Sequence, residues 1–141
     1  MAAGVDEDLP MPERATAVAE VLSRSLSART VLCELFGAQG SVLEHNVSVE
    51  VVARYKRASL HRLTTMTDLL RTYLPELGEN ATLFSLQTLV MAGALSAYST
   101  PPPSLQAAYE AEPELARFHL DLKDYVKQAL TATLLGVLPR R

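Results

Sequence analysis

The chain has 141 residues, of which 48% are hydrophobic and 21% charged, and its formal net charge is −3. This composition is typical of one globular domain and excludes intrinsic disorder. The acidic balance gives no general attraction to a phosphate backbone, so the isolated chain is expected to bind DNA poorly. A single cysteine, Cys33, excludes an internal disulfide and fits a reducing cytosol.

The first part of the chain predicts a short lead-in followed by a helix. Residues 1–8 are small and acidic, lack the features of a secretory signal and are expected to be disordered and mobile, whereas residues 9–141 form a single helical domain. Two prolines suit the first turn of the first helix. Its apolar residues form one inward stripe: Ala15, Val18, Ala19, Leu22 and Leu26. Arg14 and Glu20 fall outside this stripe and are expected to face water.

Two further helices are predicted over residues 28–45 and 49–74, the second ending before a proline, which disfavours a helical residue ahead of it. Ser48 is expected to cap the second of them. The centre of that helix, residues 64–67, carries three threonines and a methionine where a plain core would use leucine. Hydroxyls on an inner face need partners, but a solvated surface or bonds to the carbonyl four residues earlier are favoured over a ligand.

The stretch around which the chain is organised is 83–98, LFSLQTLVMAGALSAY, which carries no charge. It is too polar and too short to span a bilayer, so no membrane partner is expected. Because its apolar residues go all the way round a helix, nearly every side should be covered. In so small a chain the cover comes either from about five other helices or from a second copy of the chain. Gln87 is expected to be a buried amide that needs hydrogen-bond partners.

The end of the chain predicts an elbow and two more helices. Three prolines at 101–103 form a stiff connection, followed by a short helix over 104–111 and a final helix over 114–138. The last ten residues of that helix, 129–138, carry no charge. A partner chain is the simplest cover for such a surface.

Motifs that carry chemistry are missing from the sequence. It has no GxGxxG, Walker loop, CxxC, HExxH or GxSxG. None of the three histidines follows a glutamate at the spacing used by metal sites in helical bundles. Cys33 has no evident activating base. The sequence therefore disfavours an enzyme and indicates no metal site and no cofactor.

Four short stretches resemble a known family: VLEHNVSVEVVARYK (42–56), YLPELGEN (73–80), PPPSLQAAYEAEPEL (101–115) and LLGVL (134–138). In their order, and over nearly the whole chain from Leu9, they are similar to the C-terminal regulatory domain of tetracycline-repressor-type (TetR) transcriptional regulators. The resemblance implies an all-α bundle of about six helices. It also implies a homodimer in which the central and last helices pair with their copies as a four-helix bundle.

By the same resemblance, a small, largely apolar effector binds between helices and changes the spacing of two DNA-binding heads. The candidate residues for the pocket wall are Phe36, Gln39, Leu63, Met66, Thr67, Phe84, Gln87 and Met91. The candidate residues for the dimer interface are Val90, Gly93, Ala94, Ala97, Val126, Ala129, Leu130, Thr133, Leu134 and Val137.

The sequence departs from the family pattern at its beginning. Family members start with a three-helix, helix-turn-helix DNA-binding region, and nothing before Pro10 could form one. We therefore expect a cytoplasmic sensor domain separated from its DNA-binding half, or a stand-alone descendant, that does not recognise an operator by itself. The alternatives are a helical homodimeric interaction module without a ligand and, less favoured, a small helical enzyme.

Overall fold

The structure is a computed structural model that describes residues 4–38 and 47–140, with side chains for all of these except 35–38. The described helices are α1 (Met11–Ser27), α2 (Thr30–Ala38), α3 (Val49–Tyr73), α4 (Asn80–Ser99), α5 (Pro103–Ala111) and α6 (Leu122–Val137). Two 3₁₀ turns, Pro75–Leu77 and Pro113–Phe118, join α3 to α4 and α5 to α6. No strand occurs in the described ranges, and the prediction of an all-α bundle of about six helices is confirmed.

The core lies where α1 packs on α6 and where α4 packs on its three neighbours. Helix α1 packs on α6, and α4 packs on α2, α3 and α6. The inward stripe predicted for α1 is confirmed, since all five of its residues are buried. On α6 the buried residues recur every four positions: Leu122, Val126, Leu130 and Leu134. Because these side chains lie inside the chain's own core, α1 and α6 hold the two ends of the sequence together.

Arg14 does not face water, which corrects the sequence prediction. Its side chain is only 12% exposed and donates to the carbonyls of Leu9 at 2.9 Å and Tyr73 at 2.8 Å. The guanidinium also pairs with Glu76 at 2.5 Å. The helical pattern of α1 did not reveal this position because two of the three acceptors, Tyr73 at the end of α3 and Glu76 in the turn that follows, lie far away in the sequence.

Glu20 also has partners, contrary to the expectation that it only faces water. Its carboxylate lies 2.6 Å from Nζ of Lys127 and 3.6 Å from Nζ of Lys123, so it links α1 to α6. The hydrogen bond from Lys127 is the main cause that lowers the pKa of Glu20. Ion pairs at such an exposed position contribute little to stability, and their main effect is to orient the two helices.

The final predicted helix is interrupted, because α6 begins only at Leu122. His119 is extended, with φ −75° and ψ 125°. Asp121 accepts a hydrogen bond from the backbone N–H of Asp124 at 2.9 Å and so caps α6. An aspartate that satisfies a free N–H favours a new helix start over a continuous helix. The prediction of one helix over 114–138 is therefore wrong in its first third.

Helix α3 belongs to the core only in its C-terminal half. Met66, Thr67 and Leu70 are buried, whereas Leu60 is 62% exposed. The predicted cap is confirmed, because the Ser48 hydroxyl accepts from the N–H of Val51 at 3.4 Å. The N-terminal half of α3 is therefore largely exposed.

Helix α4 is longer than the predicted stretch and is covered on one side only. It has 20 residues and is the one helix in the described ranges that is long and apolar enough, by length and composition alone, to cross a membrane. This corrects the expectation that it is too short. However, 44% of the most apolar segment of α4 is buried inside the chain, and the core helix of a soluble protein can be equally long and apolar. The other side is exposed in the single chain, so the first of the two expected covers, by the chain's own helices alone, is not observed in the described ranges.

The Arg14–Glu76 contact generates a prediction about acid stability. The hydrogen bond from Arg14 is the main cause that lowers the pKa of Glu76 below the ordinary value of about 4.5. A carboxyl with a lowered folded-state pKa stabilises the protein above its unfolded pKa, and this contribution is lost as the pH falls through the folded pKa. We expect Glu76→Gln to lower the free energy of unfolding at pH 7 by about 1 kcal/mol, a value that allows for partial solvent screening.

Urea denaturation as a function of pH measures this effect. Glu76→Gln should show a flatter loss of stability below about pH 4.5 than the unmodified chain. Glu79→Gln, an exposed carboxyl in the same turn, is the matched control and should follow the unmodified curve. Identical pH profiles for Glu76→Gln and Glu79→Gln would contradict the assignment.

Candidate ligand-binding cavity

A cavity of about 370 Å³ lies between α1, α2, α3 and α4. Its volume falls within the range of about 300–1,000 Å³ that small-molecule sites occupy. The residues that line it are Leu22, Ser25, Leu26, Arg29, Leu32, His61, Arg62, Thr65, Met66 and Leu89. Four helices thus contribute to one space that can hold a small ligand.

The floor of the cavity is apolar. Leu22 and Leu26 reach it from the end of the α1 stripe, Met66 from α3 and Leu89 from α4, and all four side chains are buried in the core. Because core packing holds these residues, the floor exists before any ligand arrives. Methionine adds a flexible thioether that adapts its shape to a ligand.

The rim of the cavity is polar. Arg29, in the connection between α1 and α2, donates from Nη1 to the carbonyl of Ser25 at 2.9 Å and also to the Ser25 hydroxyl. Thr65 donates its hydroxyl to the carbonyl of His61 at 3.0 Å, as threonines in helices often do. Arg62 completes the rim, and within the part of the chain that the structure describes no aspartate or glutamate lines the cavity. The arrangement thus combines an apolar floor with a cationic edge.

Of the predicted pocket residues, Met66 lines this cavity and Thr67 and Phe84 are buried in the core outside its wall. The Thr67 hydroxyl donates to the carbonyl of Leu63 at 2.8 Å and lies 3.0 Å from the hydroxyl of Ser85. Its hydrogen-bonding needs are met inside the protein, so it requires no ligand. The favoured interpretation of the α3 threonines, bonds to their own helix, is the one observed.

Gln87 is exposed on α4, which corrects the expectation of a buried amide. Leu63 and Met91 are partly buried against the core and are not among the residues lining the cavity. Gln39 and the side chain of Phe36 lie outside the described residues. Each of these positions was predicted from the residue pattern of one helix. The cavity wall depends instead on how several helices pack together, which such a pattern does not show.

The rim residues Arg29, His61 and Arg62 were not predicted. One signal for Arg62 was available, since it precedes Met66 by four residues and this spacing places two side chains on the same face of a helix. Met66 as a pocket residue therefore implied Arg62 as its neighbour. Arg29 offered no such signal, because its contribution depends on the angle between α1 and α2.

The ten predicted interface residues fall into three groups. Val90, Ala94 and Ala97 are exposed, Ala129, Thr133 and Val137 are half-buried, and Gly93, Val126, Leu130 and Leu134 are buried in the chain's own core. The buried four pack inside the chain itself. The exposed residues belong to a continuous apolar strip on α4, here called the α4 strip: Leu83, Leu86, Val90, Ala94 and Ala97.

Helix α6 carries a smaller exposed apolar face. Tyr125 and Leu135 are 42% and 52% exposed, and Ala132 lies between them on the same side of the helix. Since α6 packs directly against α4, this face and the α4 strip belong to neighbouring helices. The candidate interface residues on α6 lie mostly on the opposite side of that helix from this exposed face.

Two other spaces are poorer candidates for a ligand. One, of about 40 Å³, lies where Val5 packs between α1 and α3, and it has room only for very small molecules. Val5 belongs to the segment that was expected to be mobile, and the structure places it against the core. The second, of about 460 Å³, is an open groove lined mostly by exposed residues around Tyr109 and His119, whose rings lie edge to face with centroids 6.3 Å apart.

The described residues contain little other reactive chemistry. No group of three or more potential metal-ligating side chains occurs in the described ranges. Cys33 is buried, its sulfur lies 3.4 Å from the carbonyl of Leu26, and desolvation raises the pKa of its thiol. A raised pKa reduces the thiolate fraction and therefore the reactivity of the residue.

The fold is an all-helical bundle with a cavity among four of its helices, an architecture used by ligand-responsive regulatory domains. The chain belongs to the tetracyclin repressor-like, C-terminal domain family, whose model matches residues 1–141. This is a family of regulatory domains of TetR-type proteins, which generally bind effectors and dimerise, and it is not a family of enzymes. No curated protein matched the chain.

The burial of Cys33 predicts slow thiol chemistry. In the folded protein at pH 8, Ellman's reagent should react with Cys33 far more slowly than with free cysteine, because the side chain is buried and its pKa is raised. In denaturant the rate should rise to that of an exposed thiol. A fast, complete reaction in the absence of denaturant would contradict this position of Cys33.

Proposed function

We propose that this chain is the effector-sensing and dimerisation domain of a TetR-type transcriptional regulator. It binds a small, largely apolar ligand in the cavity between α1, α2, α3 and α4 and forms a homodimer through α4 and α6. One observation carries the proposal: Leu89 lines the cavity, and Val90, the next residue of the same helix, is exposed on the α4 strip. A single rigid element therefore has a ligand-facing side and a partner-facing side.

The ligand half of the proposal is supported by the walls of the cavity. Its volume suits a small molecule, and its buried floor consists of the side chains of Leu22, Leu26, Met66 and Leu89. Apolar walls with a few polar groups are the usual composition of a small-molecule site. The principal gain in binding would come from removing the apolar surface of the ligand from water.

The dimer half is supported by the α4 strip. Leu86 and Val90 are 48% and 62% exposed, and no charged residue occurs anywhere along α4. Contiguous apolar surface of this kind typically marks an interaction site. In a twofold dimer the same patch meets its own copy, so a strip without charge avoids placing like charges opposite each other.

Coupling between the two halves follows from the stiffness of a helix. A ligand that contacts Leu89 favours particular positions of α4, and the strip on the other side moves with it. Such differential binding typically amounts to about 1–3 kcal/mol in allosteric proteins. In this proposal operator recognition belongs to the DNA-binding region of the parent regulator, and the protein acts in the cytoplasm.

Charge placed in the α4 strip tests the dimer. The double substitution Leu86→Glu with Val90→Glu puts two carboxylates into the proposed interface, where burial without a partner is costly. We expect the variant to sediment as a monomer at micromolar concentration, whereas the unmodified chain sediments as a dimer. Because both positions are exposed, the helical content measured by circular dichroism should not change.

Ala107→Glu with Ala111→Glu is the matched control, since it adds the same charge to exposed positions of α5, a helix with no buried residues. This variant should remain a dimer. A monomeric unmodified chain, or a dimer that tolerates both glutamates in the strip, would refute the proposed interface.

A bulky side chain in the cavity tests ligand binding. Thr65 and Thr64 are both exposed residues of α3 and both bond to the carbonyl four residues earlier, but only Thr65 lines the cavity. Compounds from a lipophilic library that raise the melting temperature of the unmodified chain should fail to do so with Thr65→Phe and should still do so with Thr64→Phe. A ligand at a hundred times its dissociation constant adds about 2.7 kcal/mol of stability.

The library result also separates two functions. If no compound stabilises a chain that is clearly dimeric, the domain is a helical interaction module without a ligand. If compounds stabilise Thr65→Phe as strongly as Thr64→Phe, binding occurs outside this cavity and the proposed site is wrong.

A further inference from the structure

The rim of the cavity carries positive charge in a chain whose net charge is −3. Arg29 and Arg62 both line the cavity, His61 lies beside them, and the described residues that line it include no aspartate or glutamate. Two other arginines in the described ranges do have acidic partners, Arg14 with Glu76 and Arg71 with Asp68. No such carboxylate partner occurs for Arg29 or Arg62 in the described part of the chain.

Arg29 is also positioned by its surroundings. Its Nη1 donates to the carbonyl and to the hydroxyl of Ser25, the residue one turn earlier, and Ser25 itself lines the cavity. A guanidinium has five N–H donors, and these two bonds use only one of its nitrogens. The remaining edge, Nε and Nη2, has no bond within the described residues and has the fork geometry that suits a carboxylate.

From this arrangement we infer that the ligand of the cavity is an amphiphilic acid, with an apolar body and one anionic head. The body occupies the floor formed by Leu26, Met66 and Leu89, and the head lies between Arg29 and Arg62. This inference rests on the proposed function, because it names the chemical class of the effector. It adds a requirement for negative charge that a purely apolar pocket would not have.

The energetics favour this combination over either part alone. A purely apolar ligand would leave two guanidinium groups next to a dry surface and would cost them part of their hydration. A small anion without an apolar body would gain only weak, water-screened contacts at exposed arginines. A ligand with both parts gains from burial of its body and from charge-assisted hydrogen bonds to its head.

Isothermal titration calorimetry with three simple probes tests the inference. Decanoate has both parts, decanol has the body without the charge, and acetate has the charged head without the body. We expect decanoate to bind the unmodified chain at least tenfold more tightly than decanol, and acetate to show no binding. Thr65→Phe should remove decanoate binding, which places the probe in this cavity.

Substitution of the two arginines supplies the decisive comparison. The double variant Arg29→Gln with Arg62→Gln should lose the preference and bind decanoate no more tightly than decanol. The control, Arg54→Gln with Arg57→Gln, removes the same charge from exposed positions of α3 that do not line the cavity, and it should keep the full preference. Retained decanol binding also shows that the variant is folded.

The possible results separate this inference from the proposed function. Equal binding of decanoate and decanol to the unmodified chain overturns the acidic ligand but leaves the cavity as a ligand site. A preference that survives the loss of both arginines, or tight binding of acetate, also overturns it. Failure of both decanoate and decanol to bind, with no compound in the lipophilic library affected by Thr65→Phe, overturns both proposals.

Discussion

The structure depends on a helix that carries no charge and is covered on one side only. Helices α2, α3 and α6 pack on α4, and the remaining side presents the α4 strip. A monomer gains nothing by leaving leucine and valine in water, and a helix cannot turn its covered side outward without giving up the core. The fold thus leaves an apolar surface exposed on α4, the helix that also contributes Leu89 to the wall of the cavity.

The polar residues of α4 explain how this helix can be buried at all. Ser85, Thr88 and Ser96 are buried, and each hydroxyl bonds a carbonyl of α4 itself at 2.8 Å. They consequently need neither water nor a ligand. Such residues look like ligand anchors in a sequence, because the pattern shows a hydroxyl on an inner face but not the carbonyl that already accepts its hydrogen bond.

The sequence predicted what depends on neighbours along the chain. The α1 stripe, the Ser48 cap and the all-α class follow from periodicity and local chemistry, and the structure agrees with them. The burial of Arg14 and the rim of the cavity depend on residues brought together from distant helices. Arg29 and Arg62, for example, line the same space although α2 and much of α3 separate them in the sequence. Helical periodicity does not show which residues of distant helices lie next to each other, so the site was predicted less well than the fold.

The Arg14 contact has a mechanical consequence. It ties the start of α1 to the last carbonyl of α3 and to the 3₁₀ turn that leads into α4. Met66, on the cavity floor, lies about 10 Å along α3 from that anchored end, at 1.5 Å per residue. With the corner between α1 and α3 held in place, any change in the distance between these two helices is smallest at the corner and largest at their far ends. A small change in the separation of α1 and α3 near Met66 would therefore become larger toward the ends of the two helices that lie away from the Arg14 contact.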